Sequence, residues 1–166
     1  MADAQDPRSE FYRKALHVRD VRPTISTGAY ANGDAVGGLI TLSSVVHFDG
    51  GGSYLHSITV IDESAQDTGL SFVFFSAQPT ASTFTDNGAV SIHADDRDKI
   101  LGVVAAEAAD YFPVGSGLSV ASLRTQGLAL QSDDAANDIW VAVIANEAGT
   151  YAATNDLIFR FGIAQG

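Results

Sequence analysis

From Pro23 to its end the chain is patterned at period two and almost nowhere at helical spacing. That regularity constrains the fold more than any other feature. Strand-like segments with no helical stretches of roughly 10–15 residues between them cannot build parallel crossovers. The run "AVGGLITLSSVVHF" places Leu39, Thr41, Ser43 and Val45 on one side and Ile40, Leu42, Ser44 and Val46 on the other. Its paired glycines, Gly37 and Gly38, read as a bulge or a close backbone approach. "DGGGS", Asp49 to Ser53, reads as a hairpin loop leading into "YLHSITVID". "TISTGAY", "ILGVVAAE", "LSVASLRTQGLALQ", "DIWVAVIANE" and "NDLIFRFGIAQ" add further strands, separated by turns such as Ala31-Asn32-Gly33-Asp34. One helical turn is expected, capped by Ala94 or Asp95 and running through Lys99. The expected fold is all-β: an antiparallel β-sandwich or jelly-roll-like barrel of about eight strands with an N-terminal arm.

The segment "LSFVFF", Leu70 to Phe75, breaks the alternation. A strand with one wet face should alternate, so something covers both faces. Phe72 and Phe74 share one face, Val73 and Phe75 the other. One face belongs in the sandwich core. The other, with no helix available, must meet a long loop or a neighbouring subunit. Residues Gln78 to Asn87 are the first candidate for that loop.

At 166 residues and 46% hydrophobic composition, the chain is long enough for a real core. It has no cysteine, so disulfide and thiolate chemistry are excluded. No apolar run approaches membrane-helix length, and "MADAQDPRSEF" lacks the apolar centre of a signal peptide. The expectation is a soluble protein made in the cytosol.

Charge divides the chain in two. Residues 1–22 hold Arg8, Arg13, Lys14, Arg19 and Arg22 against four acids, while the rest holds 16 acids and four bases, out of a net charge of −11. The acidic body argues against nucleic-acid binding. The domain reading is an arm, 1–22, and a β-sandwich domain, 23–166. Within the arm, "EFYRKALHV" has the length of two helical turns, and Phe11, Tyr12, Leu16 and Val18 supply apolar anchors. A solvated, frayed terminus is the alternative.

The search for a reaction centre finds none. There is no G-x-S-x-G elbow, and "GSG" at Gly115 to Gly117 is a turn rather than a phosphate loop. His47 and His56 flank the Asp49–Ser53 turn and would face each other across a hairpin of the right register, but no third metal ligand accompanies them. "HADDRDK", His93 to Lys99, lacks calcium-loop spacing and reads as a charged surface turn with an Asp95–Lys99 pair. "SDDAAND", Ser132 to Asp138, reads as a solvated acidic loop. Aromatics that a glycan platform would use, such as Tyr54 and Tyr111, are scattered, and Trp140 lies in the apolar strand "IWVAVIA" as core or interface. No catalytic residue, metal or cofactor is expected.

The order of several short motifs carries a resemblance. "TISTGAYANGDAVGGLITLSSVV", "GGGSYLHSITVIDESAQDTGLSFVFFSAQPTASTFTDNGAVSI", "KILGVVAAEAADY" and "NDLIFRFGIAQ" resemble a family of small virion structural proteins of tailed bacteriophages. The pattern is A-Y-x-x-G-D-x-V-G-G, then I-D-x-x-x-Q, a Phe-Phe strand followed by Pro, D-N-x-A, L-G-x-V and a closing L-x-F-x-F-G. It spans roughly residues 22–164, leaving the arm outside. The resemblance implies a capsid cement or decoration protein, located on the virion capsid surface and made in the bacterial host cytoplasm. Its implied partners are the major capsid protein and itself, as a homotrimer, with neither nucleic acid nor membrane. The arm's role is not carried over from the resemblance; its anchors and charges make Phe11, Tyr12, Arg13, Lys14, Leu16 and Arg19 the expected capsid contacts, and Phe72, Phe74, Phe84 and Trp140 are self-association candidates. The alternative is a head-fibre or tail receptor-binding module that recognises host glycan. A metal-dependent hydrolase using His47 and His56 is the enzyme alternative.

Overall fold

A computed structural model describes residues 16–46, 51–133 and 137–165. They form two antiparallel sheets packed face to face. The strands are β1 (Leu16–Val21), β2 (Ala35–Leu42), β3 (Gly52–Asp62), β4 (Leu70–Phe75), β5 (Ile100–Ala106), β6 (Tyr111–Gly115), β7 (Leu118–Gln131), β8 (Ile139–Ala145) and β9 (Leu157–Gln165). One sheet has the order β1-β9-β3-β7-β6, the other β2-β8-β4-β5.

That order is a rolled hairpin. β1 pairs with β9, β2 with β8, β3 with β7 and β4 with β5, all antiparallel. Successive strands cross between the sheets except at the β4–β5 and β6–β7 connections. This is the jelly-roll arrangement, with β6 as an added edge strand. The sandwich expectation therefore holds.

Local chemistry explains why some strands alternate and others do not. β3 alternates exposed and buried residues because its outer side is uncovered. β4 and β8 do not, because both of their sides are covered. Phe72 and Phe74 face inward and meet β9 edge-to-face, Phe72 with ring centroids 5.2 Å from Phe159 and 6.0 Å from Phe161, Phe74 6.2 Å from Phe161. These rings tie the two sheets together across the core. Val73 and Phe75 face outward into a second cluster with Ala35, Phe84 and Ala142, against which Leu39, Trp140 and Ile144 also pack.

Three local expectations need correction. β2 and β3 lie in different sheets, so "DGGGS" does not join a hairpin; its Gly52 and Ser53 open β3, and Asp49 and Gly50 lie outside the described residues. Residues 24–30 form no strand; Ile25 and Tyr30 are buried from an irregular segment instead. Leu16 to Val21 are strand β1, an edge of the five-stranded sheet, so the helical reading of "EFYRKALHV" fails for its last residues. Pairing with β9 satisfies their backbone in a way that an isolated two-turn helix cannot match. Residues 1–15, the rest of the arm, lie outside the described residues.

Candidate functional site

Two surfaces carry the features that distinguish this chain. The first is the outer side of the four-stranded sheet, crossed by the long β4–β5 connection. Residues 76–93 lie over it as a strap. Phe84 anchors the strap, its ring centroid 5.8 Å from that of Phe75. A polar chain segment laid over an apolar sheet must satisfy its own backbone; backbone bonds such as Thr83 N–H to Ser91 O and Val90 N–H to Gly33 O do most of this, and two carboxylates pin the segment in place.

Asp86 is the first. Its Oδ1 accepts from the Tyr30 hydroxyl and from the Gly37 N–H, both at 2.6 Å. The Tyr30 hydroxyl in turn accepts from the Ser26 N–H at 2.8 Å. Backbone bonds complete the latch, Asn87 N–H to Ala35 O and Ala35 N–H to Gly88 O, each at 2.8 Å. Gly37 has φ of +75°, and a Cβ there would stand 2.4 Å from Pro23 Cβ, so only glycine fits. The expected bulge at Gly37-Gly38 is the device that turns this N–H toward Asp86.

Asp96 is the second. It is buried, and it accepts from Ala81 N–H at 2.9 Å, the Ser82 hydroxyl at 2.6 Å and Lys99 Nζ at 2.7 Å. Lys99, then Ser82, hold the Asp96 carboxyl below its ordinary value, against the opposing effect of burial. The 3-10 turn Ala94–Lys99 is capped by His93, whose Nδ1 accepts from Asp95 N–H. The expected Asp95–Lys99 surface pair is thus replaced by an inward Asp96–Lys99 pair. Against the strap lies an open depression of about 360 Å³ lined by Leu39 and by strap residues from Gln78 to Thr85.

A third carboxylate braces the neighbouring loop. Asp62 is fully buried and accepts from Ser64 N–H and hydroxyl (both 2.9 Å), Gln66 N–H (2.8 Å) and Asp67 N–H (3.0 Å). Nearby, the Tyr111 hydroxyl donates to Thr68 O at 3.0 Å, and burial raises the pKa of Tyr111. Burial also pushes Tyr151 up to about 12. The motifs A-Y-x-x-G-D-x-V-G-G, D-N-x-A and I-D-x-x-x-Q are therefore loop braces: Tyr30, Gly37 and Asp86 meet at one latch, and Asp62 and Gln66 at another.

The second surface is the outer side of the five-stranded sheet. Register places Ile158, Ile61, Val120 and Phe112 side by side across four strands. Phe112 is 70% exposed and Val114 54%. Toward the other end lie exposed Leu16, Val18 and Tyr54, the last opposite Ala164 and Ala129. Asp20 and Arg160 form a two-pronged ion pair on β1 and β9, at 2.7 and 2.8 Å.

The residues singled out from sequence fall as follows. Phe11, Tyr12, Arg13 and Lys14 lie outside the described residues. Leu16 is exposed and Arg19 half-buried on β1. Phe72 and Phe74 are core, Phe84 is buried beneath the strap, and Trp140 is half-buried beside it. Both sides of "LSFVFF" are covered within one chain, so that run gives no support to oligomerisation. Tyr54 is exposed but Tyr111 is buried, which removes one ring from a glycan platform. His56 is exposed on β3, while His47 lies outside the described residues. Among the described residues no group of three or more His, Cys, Asp or Glu is placed to hold a metal ion. The apolar row on the five-stranded sheet went unrecognised in the sequence. Its signal was the alternation itself, with Ile61, Val120 and Ile158 at wet positions.

No protein-family model matches the chain, and no curated protein matches it. Among solved structures it is similar to a chain of the tomato aspermy virus structure, at 9% identity and a TM-score of 0.42, over 90% of this chain and 75% of that one.

Proposed function

We propose that the chain is a structural component of a virus particle: a bacteriophage decoration or cement protein that binds the outside of the major capsid protein shell, stabilises it, and self-associates as a homotrimer. One observation carries this reading. The buried carboxylates brace loops, while one sheet face leaves the row Ile158, Ile61, Val120 and Phe112 and, toward its other end, Leu16, Val18 and Tyr54 without a covering layer, the Asp20–Arg160 ion pair lying between them. Such a molecule is built to present a rigid surface. Monomeric proteins rarely expose contiguous apolar patches beyond a few hundred Å² without a partner for them. The ordered resemblance to phage virion proteins supports the same reading, and its motifs are the loop braces that hold the body rigid.

Residues 1–15 bring Phe11, Tyr12, Arg13 and Lys14 ahead of an acidic body, and Leu16 and Arg19 continue them on an edge strand. On this reading they reach across capsid subunits. The test is co-sedimentation with purified, undecorated capsid shells, comparing the full chain with residues 16–166. The shorter form keeps β1 and so keeps the sheet edge. Saturable binding by the full chain, weakened at least about tenfold by the truncation, is expected. Failure of the full chain to bind removes the decoration reading, and undiminished binding by the truncated form removes the role of the arm.

A further inference from the structure

We infer that the outer face of the five-stranded sheet is where one copy of this chain meets another. The inference rests on the self-association in the proposed function and assigns it to a surface. Charge permits a like-to-like contact on this face, and its exposed apolar side chains favour one. The chain carries a net −11, so two copies repel through most approaches. Among the strand residues of this sheet, Asp62 points into the core, and the outward acid is Asp20, already bonded to Arg160. Arg124 adds an exposed base on β7. The face is thus close to neutral on a strongly acidic molecule, and a second copy meets little repulsion there. An acidic or basic foreign partner would find little to pair with here.

Size agrees. Five strands at ~4.8 Å spacing and about six residues at ~3.4 Å each give roughly 500 Å² per copy; in a ring of three each copy presents the Phe112 edge to one neighbour and the Ile61–Ile158 side to the other, so the three copies together bury roughly 1,500 Å². Shape agrees as well. Phe112 stands out at 70% exposure at one edge, ready to serve as an aromatic anchor against the shallow row of Ile61, Val120 and Ile158. Pro113 follows it on the edge strand and lacks an N–H, which blunts strand-to-strand addition there and leaves the face as the contact.

The test is the solution mass of the full chain by sedimentation across concentration, for the wild type, for the double variant Phe112→Lys/Val114→Lys, and for Val103→Lys. Val103 is 57% exposed on β5, in the other sheet, and serves as the control. The wild type is expected to be a multimer at micromolar concentration. The double variant is expected to dissociate at least about tenfold more readily, with an unchanged circular dichroism spectrum, while Val103→Lys behaves as wild type. A wild-type monomer overturns the inference, as does a folded double variant that associates undiminished. A monomer that still binds shells overturns this inference alone. A multimer that ignores shells overturns the decoration reading alone.

Discussion

Replacing Phe72 with alanine should cost far more than replacing Phe84, although both rings are buried. Phe72 has no exposed surface and stands edge-on to Phe159 and Phe161 of the opposite sheet. Its removal opens a cavity between two hydrogen-bonded sheets that cannot close on it, so about 3–5 kcal/mol is expected. With melting temperature moving about 2–4 °C per kcal/mol in a chain of this size, the shift is roughly 6–20 °C. Phe84 sits under a strap, keeps 9% exposure, and can be partly replaced as the strap settles. Its loss should stay near the transfer value of about 1.5–3 kcal/mol. Urea unfolding read by the fluorescence of Trp140, the only tryptophan, measures both. Trp140 packs against the cluster that contains Phe84, so Phe84→Ala should also red-shift the native emission, and Phe72→Ala should not. Equal losses, or a red shift confined to Phe72→Ala, would refute the assignment of core and strap.

Other expectations follow from the braces. Asp86→Ala leaves the Tyr30 hydroxyl and the Gly37 N–H without their acceptor, at about 1–3 kcal/mol for each stranded group; the Ala35 and Asn87 amides should then exchange faster in hydrogen-exchange measurements. Gly37→Ala combines a φ of +75° with a Cβ only 2.4 Å from Pro23, and it should destabilise by more than the ~1 kcal/mol of a simple glycine replacement. The Asp96 carboxyl titrates below its ordinary 3.8 in the folded state. Its contribution is present above that value and is lost as pH falls through the lower, folded one, so the melting temperature of Asp96→Asn should fall less steeply in acid than that of the wild type. Tyr30, Tyr111 and Tyr151 are raised above 10 by burial. Their contribution is complete below pH 10 and is lost as pH rises through the folded values, so their tyrosinate absorbance should appear together with alkaline unfolding.

The sheets were legible in the sequence because burial writes itself into period two. The run without alternation, "LSFVFF", marks a strand covered on both sides, and the expected covering loop at Gln78 to Asn87 lies within the strap. Topology was less legible. "DGGGS" carries strong turn chemistry, yet turn residues report a chain reversal and not whether the next strand joins the same sheet. Asp96 looks like a surface charge in the sequence because neighbouring acids hide which one turns inward; its partners Ala81 and Ser82 are remote in sequence. The short motifs were recognisable in order, but their work as braces between Tyr30, Gly37 and Asp86 appears only when residues far apart in the chain are brought together. The apolar face was visible as isolated aliphatic residues, and only strand register makes them neighbours.

The central claim is that this chain decorates a capsid shell. An image of particles carrying the protein, compared with particles lacking it, tests this most directly. The account predicts added density of this chain's size at regular positions on the outer surface of the shell. Density confined to the tail, or particles identical with and without the protein, would contradict it.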